Sequence, residues 1–318
     1  MSQLVEIQNL KKYFKTARGM VHAVDDVTFG IEKGKTMGIV GESGCGKSTL
    51  GRILVHLEES TSGQIIFNNE DVTELNRRDM KQFREHAQII FQDPYSSLDP
   101  RYTVEASIKE PLLNSGKYSQ DEALEKTREL MDLVGIAPRL RLSYPHELDG
   151  GRRQRVGIAR SLALNPEFVV CDEPVSALDV SIQAQILNLL KKLQQEQNLT
   201  YLFITHDLSV VKHISDHICV MYLGQLVETC PSHELFAKQY HPYTKALLSA
   251  IPSTDIHHKM DRIILKGEIN SPINPKPGCR FATRCNYVCE RCYEPQTLEE
   301  ISPNHFVSCS RVRELETM

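Results

Sequence analysis

The chain has 318 residues, with 37 Lys and Arg against 41 Asp and Glu, and a formal net charge of −4. That length accommodates a large core and a second, smaller unit, while the near balance of charge gives no global drive toward nucleic acid or anionic lipid. No stretch approaches the roughly 18 consecutive apolar residues of a membrane span, and the N-terminus lacks the apolar core of a signal peptide, so the chain is expected to stay in the cytoplasm.

In chain order, Leu4-Val5-Glu6-Ile7 alternates like a half-buried strand, and Ala23 to Ile31 offers another. Thr36 to Val40 reads as a buried strand that runs into Gly41-Glu42-Ser43-Gly44-Cys45-Gly46-Lys47-Ser48-Thr49, and Leu50 to Val55 reads as a helix running out. The nine residues fit G-x-x-x-x-G-K-[ST], the phosphate-binding loop of nucleotide triphosphatases. Its glycines let the backbone turn its N–H groups inward around phosphate oxygens, and the helix adds its positive end. Lys47 is expected to reach the β- and γ-phosphates, and the Ser48 hydroxyl to ligate Mg²⁺. Strand, loop and helix in register argue against a chance Gly-rich turn.

Gln64 to Phe67 and Gln88 to Phe91 are short strand candidates, the second ending at Gln92-Asp93-Pro94. From about Tyr95 to Asp149 helix signals dominate. Ser119 and Glu122 form a capping box, and Ala123, Leu124, Thr127, Leu130, Met131 and Val134 line one face until Gly135. The sheet resumes with Phe168-Val169-Val170-Cys171, ending in Asp172-Glu173. A helix through Ile182, Ile186, Leu189, Leu190 and Leu193 follows, then Tyr201 to Ile204 ending at Thr205-His206-Asp207, and His217 to Met221. Alternating strands and helices predict a parallel sheet covered on both faces, whose ligands sit at the strands' C-terminal ends. The phosphate loop, Gln92, Asp172-Glu173 and His206 all fall at such ends and are expected to converge. There Asp172 suits Mg²⁺, Glu173 an attacking water, and Gln92 and His206 the γ-phosphate and the water.

These motifs, with Leu148-Asp149-Gly150-Gly151-Arg152-Arg153-Gln154-Arg155 and Ser176-Ala177-Leu178-Asp179, resemble the ATP-binding cassette ATPases over nearly the whole chain. The resemblance implies an α/β phosphate-loop NTPase core with a mostly parallel sheet, an antiparallel N-terminal subdomain, a helical insertion and a small cysteine-rich extension. The domains implied are a nucleotide-binding domain over 1–252, with its helical subdomain at about 95–157, and an extension over 253–318. It implies ATP and Mg²⁺ as cofactors, with Gln92 joining Ser48 and Asp172 around the metal, and His206 as the switch histidine. An N-terminal aromatic stacks on adenine in the family; Phe14 is the first choice and Tyr13 the second.

Gln92-Asp93-Pro94-Tyr95-Ser96-Ser97-Leu98, His241-Pro242-Tyr243-Thr244 and the cysteine-bearing tail narrow the resemblance to the oligopeptide, dipeptide and nickel importer branch. That branch implies peptide uptake, with nickel or another small solute as the alternative cargo and a soluble cassette ATPase as a further rival. Its partners are a second cassette ATPase, two membrane permeases on whose cytoplasmic side the subunit sits, and, through them, an external substrate-binding protein. Tyr95 to Leu113 is expected to receive the permease's coupling helix, and no nucleic acid is expected.

Where the family signature reads Leu-Ser-Gly-Gly-Gln, this chain has Asp149 for the serine and Arg152 for the glutamine. Asp149 is a good helix N-cap, but like charges about 4 Å apart repel by roughly 4 kcal/mol at an effective dielectric of 20, which disfavours a phosphate there. Tolerated drift and an asymmetric pair of ATP sites are the two readings. Of the nine cysteines, Cys279, Cys285, Cys292 and Cys309 match the branch's tail pattern, in which some members carry a [4Fe–4S] cluster; four thiolates equally suit zinc. Cys289 completes a C-x3-C-x2-C run that is taken as coincidental, and Cys171 and Cys219 are expected to pack in the core.

Overall fold

The computed structural model describes residues 2–251, 262–267 and 271–316; the expected domain boundary at 252/253 lies outside the described residues. Strands β1 (Gln3–Thr16), β2 (Gly19–Glu32) and β3 (Thr36–Val40) lead to helix α1 (Lys47–Leu54), then β4 (Ser62–Phe67) and β5 (Glu70–Asp71). The middle of the chain forms α2 (Arg77–His86), β6 (Ala87–Ile90), α3 (Pro94–Ser97), α4 (Val104–Ser115), α5 (Gln120–Leu133), α6 (Gly150–Leu162), β7 (Phe168–Asp172), α7 (Val180–Gln197) and β8 (Thr200–Ile204). The last third adds α8 (Leu208–Ile214), β9 (His217–Tyr222), β10 (Gln225–Pro231), α9 (Ser232–Ala237), α10 (Pro242–Ser249), β11 (Glu299–Ser302), β12 (His305–Val307) and α11 (Val312–Glu316). These elements divide into two compact units, 1–74 with 203–318, and 75–202, with the boundary inside β8.

In the first unit an antiparallel sheet runs β2-β1-β4-β5. Leu4, Val5, Ile7 and Leu10 of β1 and Val24, Val27 and Ile31 of β2 supply its buried side, and left-handed Asn9 and Asp26 break the register where the two long strands bulge. A second sheet is built on β3, whose five residues are all buried, as its continuous apolar run requires. β3 pairs parallel with β9, from Met37 opposite His217 to Val40 opposite Val220.

Beyond β9 the mostly parallel sheet turns antiparallel. Leu223 and Gly224 have φ of 44° and 88°, the two left-handed residues of a tight hairpin, so β10 returns antiparallel to β9. The cysteine-rich tail then contributes β12 to the edge of β10 and β11 to the edge of β12. A buried carboxylate anchors this addition: Glu228 of β10 accepts the backbone N–H of Tyr240 at 2.8 Å and of His241 at 3.0 Å, and lies 2.7 Å from Nε2 of His305 on β12. A carboxylate with no exposure needs such partners, because an unpaired buried charge costs several kcal/mol.

In the second unit β6 and β7 pair parallel, from Ala87 opposite Phe168 to Ile90 opposite Cys171. The helices of the insertion follow their sequence signals. Both halves of the Ser119–Glu122 capping box form, and α5 ends before Gly135, whose φ is 73°. The buried face of α7 is Ile186, Leu187, Leu189, Leu190 and Leu193. Cys171 and Cys219 are fully buried in their strands, as expected.

Candidate functional site

β3 delivers the chain to Gly41, and α1 begins six residues later with Gly46 as its N-cap. Gly46 has φ 105°, and a Cβ there would stand 1.9 Å from the carbonyl oxygen of Ala23, so only glycine fits. Lys47 is buried, and its ammonium donates to the carbonyl oxygens of Gly41 at 2.8 Å and Glu42 at 3.0 Å, at the centre of the turn. Ser48 and Thr49 follow in the first turn of α1, while Ser43 and Gly44 form the exposed tip of the loop. Cys45 points inward, 3.8 Å from Lys47 Nζ, and burial pushes its thiol pKa up. β8 neighbours β3, and the N–H of Thr205 donates to Ile39 O at 3.2 Å, which sets exposed His206 beside the strand end that feeds the loop. Within the first unit, then, the loop and His206 are brought together.

The candidate adenine platform lies on β1. Tyr13 and Phe14 are successive strand residues and face opposite sides. Tyr13 stacks on His22 at a centroid distance of 3.9 Å and donates its hydroxyl to Asp25, whereas Phe14 lies under the Lys12 ammonium at 4.8 Å. Burial pushes the Asp25 carboxyl upward, but Tyr13, His22 and Arg280 around it hold it below its usual value.

The second unit carries the other candidates. Gln92 follows β6 and Glu173 follows β7, and the parallel pairing brings them together: Gln92 Nε2 donates to Glu173 Oε2 at 3.0 Å. Asp172, the last residue of β7, is buried. Glu173 has φ 47°, an unusual conformation for a non-glycine residue, and Ser176 Oγ donates to its carbonyl oxygen at 3.1 Å. Strain of this kind collects at functional positions. Asp149 caps α6 as the sequence predicts, accepting the N–H of Arg152 at 2.7 Å, and Arg152 Nε returns to Asp149 Oδ2 at 3.3 Å. The two departures from the family signature therefore pair with each other. With side chains 59% and 48% exposed, that pair contributes at most about 1 kcal/mol. Leu148 is buried beneath the cap, and Gly150 and Gly151 open the helix, where a Cβ on Gly151 would come within 2.6 Å of Ile182 Cγ2.

In the tail, Cys279, Cys285, Cys292 and Cys309 all line one small cavity, with Phe281 and Leu315 among its apolar walls, while Cys289 does not line it. The Cys279 N–H donates to Cys292 O at 2.8 Å, tying the first and third cysteines, and Tyr287 N–H approaches Cys285 Sγ at 3.4 Å. Burial pushes the Cys279 thiol up to about 12 and raises Cys285 and Cys309 as well. Among the described residues no group of three or more His, Cys, Asp or Glu is arranged to hold a metal ion. The four cysteines of the tail pattern share one small cavity, and Cys289 Sγ stands 3.8 Å from Cys292 Sγ at its edge.

Sequence reasoning missed the side chains that brace the loop. Tyr243 accepts the Glu42 N–H at 2.9 Å, and Arg284 donates to Glu42 Oε2 at 2.8 Å. Tyr243 carried a signal, since it belongs to His241-Pro242-Tyr243-Thr244. Arg284 carried none, because nothing local links residues 242 positions apart.

Two family profiles match the chain, one described as ABC transporter over residues 24–176 and one as oligopeptide/dipeptide transporter, C-terminal region, over 227–292. The chain belongs to the ATPase subunits of ABC transporters, in the oligopeptide/dipeptide branch. It is 50% identical to the oligopeptide transport ATP-binding protein AppF of Bacillus subtilis strain 168, over 96% of each chain. It is 48% identical to OppF of the same organism, described in the same words, over 97% of this chain and 96% of OppF. Among solved structures, the dimeric ATP-binding cassette MJ0796 bound to ADP and Pi superposes with a TM-score of 0.66 at 30% identity, covering 72% of this chain and 98% of that one. No described helix is long and apolar enough to cross a membrane.

Proposed function

We infer that this chain is the ATP-hydrolysing subunit of an importer that carries peptides across the cytoplasmic membrane, working from the cytoplasmic face. The observation that carries this reading is the succession of a cassette ATPase match and an oligopeptide/dipeptide C-terminal match in a chain half identical to AppF along nearly its whole length. In this reading the N–H groups of Gly41 to Thr49 and the Lys47 ammonium hold the β- and γ-phosphates, and Ser48, Asp172 and Gln92 hold Mg²⁺. The metal neutralises charge on the β- and γ-phosphates. Glu173 orients the attacking water and accepts its proton, with Gln92 fixing the carboxylate, and His206 contacts the γ-phosphate. The adenine stacks on Phe14, or failing that on Tyr13.

Partners follow from the same reading: a second cassette ATPase, two permeases, and an external binding protein reached through them. Tyr95 to Leu113 receives a permease helix. Support for this surface comes from α3, which α6 holds through Arg160 Nη1 donating to Ser97 O at 2.6 Å and Arg153 lying over the Tyr95 ring at 5.3 Å, so the docking face and the signature helix are mechanically joined. Asp149 makes the signature a poor phosphate ligand, and the subunit pairs with a different cassette whose signature keeps the serine. Cys279, Cys285, Cys292 and Cys309 hold a [4Fe–4S] cluster that staples a tail too small to bury much apolar surface.

Co-expression with the permeases tests the main reading: the complex should hydrolyse ATP faster when peptide-loaded binding protein is added. Stimulation by nickel-loaded binding protein alone would replace peptide by metal as cargo. Anaerobic purification should give iron and sulfide in equal amounts, and stoichiometric zinc without iron would replace the cluster by a structural zinc site.

A further inference from the structure

A second cavity, of about 570 Å³, lies wholly within the first unit, and no residue of the phosphate loop lines it. Its volume is that of a ligand pocket. Much of the lining is apolar: Met37 and Leu226 are buried, and Leu298 and Phe306 of the tail are half-buried. One wall is β2, which contributes Thr28, Phe29, Gly30, Ile31 and Glu32 without a gap. Successive side chains of a strand point to opposite faces, so a cavity against a sheet face meets every second residue. Five in succession mean that the edge of β2 faces the cavity. β2 is indeed the last strand of its sheet, paired on one side with β1.

The same edge already takes an extended segment nearer its start. Val21 bridges Ile273 antiparallel, His22 N–H donates to Pro272 O at 3.0 Å, and Asn274 N–H donates to Met20 O at 2.8 Å. Asp25 N–H goes to Gly224 O at 2.8 Å, and left-handed Asp26 closes this covered stretch. Thr28 to Glu32 follow, at the cavity. An edge strand turns a row of N–H and C=O groups away from its sheet, and a peptide can pair with them through its own main chain, whatever its side chains. At about 3.4 Å per residue, the stretch accommodates a peptide of roughly three to five residues. Charge narrows the class. Asp25, Asp26 and Glu32 line the cavity against Lys35 and the His217 imidazole. Arg280 holds Asp25, Asp216 holds the Lys35 ammonium at 3.0 Å, and Asp26 lies 3.9 Å from an exposed Lys11. The surplus is negative and suits an ammonium group.

We propose that this cavity is a peptide-binding site, in which a short peptide with a free amino terminus adds to the edge of β2 as an extra strand. It runs antiparallel to β2, as Ile273 does beside Val21, which sets its α-ammonium against half-buried Glu32. Its apolar side chains lie against Leu226, Leu298 and Phe306. Main-chain pairing makes the site tolerant of sequence, and the carboxylate makes it selective for a free amino terminus. The choice of a peptide rests on the importer reading above, since peptides released at the cytoplasmic face are what such a subunit meets.

The test titrates trileucine, N-acetyltrileucine and hexylamine into the full chain by calorimetry. It compares the wild type with Glu32→Gln and with Thr297→Trp, which fills the cavity from an exposed position on the tail. Circular dichroism checks folding, and backbone hydrogen exchange is followed with and without trileucine. The wild type should bind trileucine about tenfold more tightly than the acetylated peptide, the worth of one charge-assisted hydrogen bond. Glu32→Gln should bind both peptides with the weaker Kd, and Thr297→Trp should lose both. Bound trileucine should slow exchange at Thr28 to Glu32, which is the signature of strand pairing. No binding at millimolar trileucine overturns the proposal, as does equal affinity for the two peptides in the wild type. Full affinity in a folded Thr297→Trp overturns the location. Hexylamine binding as tightly as trileucine, with no protection of β2, overturns the peptide in favour of an apolar amine. Failure here is distinct from failure of the importer reading: a transporter stimulated by peptide-loaded binding protein, whose ATPase chain ignores trileucine, keeps that reading and loses this site.

Discussion

Two helices of this protein, α1 and α6, begin at glycine-rich segments, and they begin differently. α1 starts at Gly46, which has no side chain to cap the first turn, and its second residue places a serine hydroxyl and its first a buried lysine at that end. α6 starts at Asp149, whose carboxylate occupies the N–H of Arg152 and is paired in turn with the Arg152 guanidinium. Both are sound helix starts. The first keeps its positive end available to an anion, whereas the second has already taken one, supplied by its own chain. A third start, α10, is capped by a neutral histidine ring: His241 Nδ1 accepts the Tyr243 N–H at 3.1 Å.

The largest expected effect lies at the intact site. Glu173→Gln should lower ATP turnover of the assembled transporter by about 10²–10⁴-fold while leaving ATP binding in place, and Lys47→Ala should weaken binding itself. Equilibrium binding beside steady-state turnover separates the two; normal turnover in Glu173→Gln would remove Glu173 from the mechanism. Next comes Gly46→Ala, which adds a methyl 1.9 Å from a backbone oxygen at φ 105°. The loop must shift to admit it, and nucleotide affinity should fall by roughly 100-fold, since about 3 kcal/mol of backbone strain has to be relieved. An unchanged Kd would show that the loop tolerates the displacement.

The histidine cap yields a pH prediction. Burial lowers the His241 pKa from 6.5 to about 4. A folded pKa below the unfolded one means that its contribution is complete above about pH 6.5 and is lost as pH falls toward 4. Between pH 7 and 5 this amounts to ~2 kcal/mol. Urea unfolding of the wild type should record that loss, and His241→Asn, with a non-titrating acceptor, should record less of it. Parallel pH profiles for the two proteins would assign the acid sensitivity to other groups.

The smallest effect concerns the occupied helix start. Asp149→Ser with Arg152→Gln restores a hydroxyl and removes both charges. In the heterodimer it should raise hydrolysis at the partner's phosphate loop severalfold, most visibly when this chain also carries Glu173→Gln. ATPase rates of the reconstituted complex in both backgrounds decide the matter: no rise in either would leave Asp149 as a helix cap alone, and the two starts would differ in chemistry without differing in function.

By itself the sequence determined the local devices and their order: the buried strand into Gly41, the Ser119–Glu122 capping box, the Asp149 cap, the apolar strand ending at Asp172, and the cysteine spacing. Each is set by interactions within a few residues, so periodicity and capping chemistry reveal it. Only the tertiary structure decided how distant residues meet. The Leu223-Gly224 hairpin turns the mostly parallel sheet antiparallel at β10, and Glu228 then accepts His305 across 77 positions to seat β12. Those steps carry the cysteine segment to the phosphate loop, where Arg284 finds Glu42 across 242 positions. Charge pairing over such separations leaves no periodic trace in a single sequence, because the chain between the partners is free to vary until the sheet fixes where each strand lies.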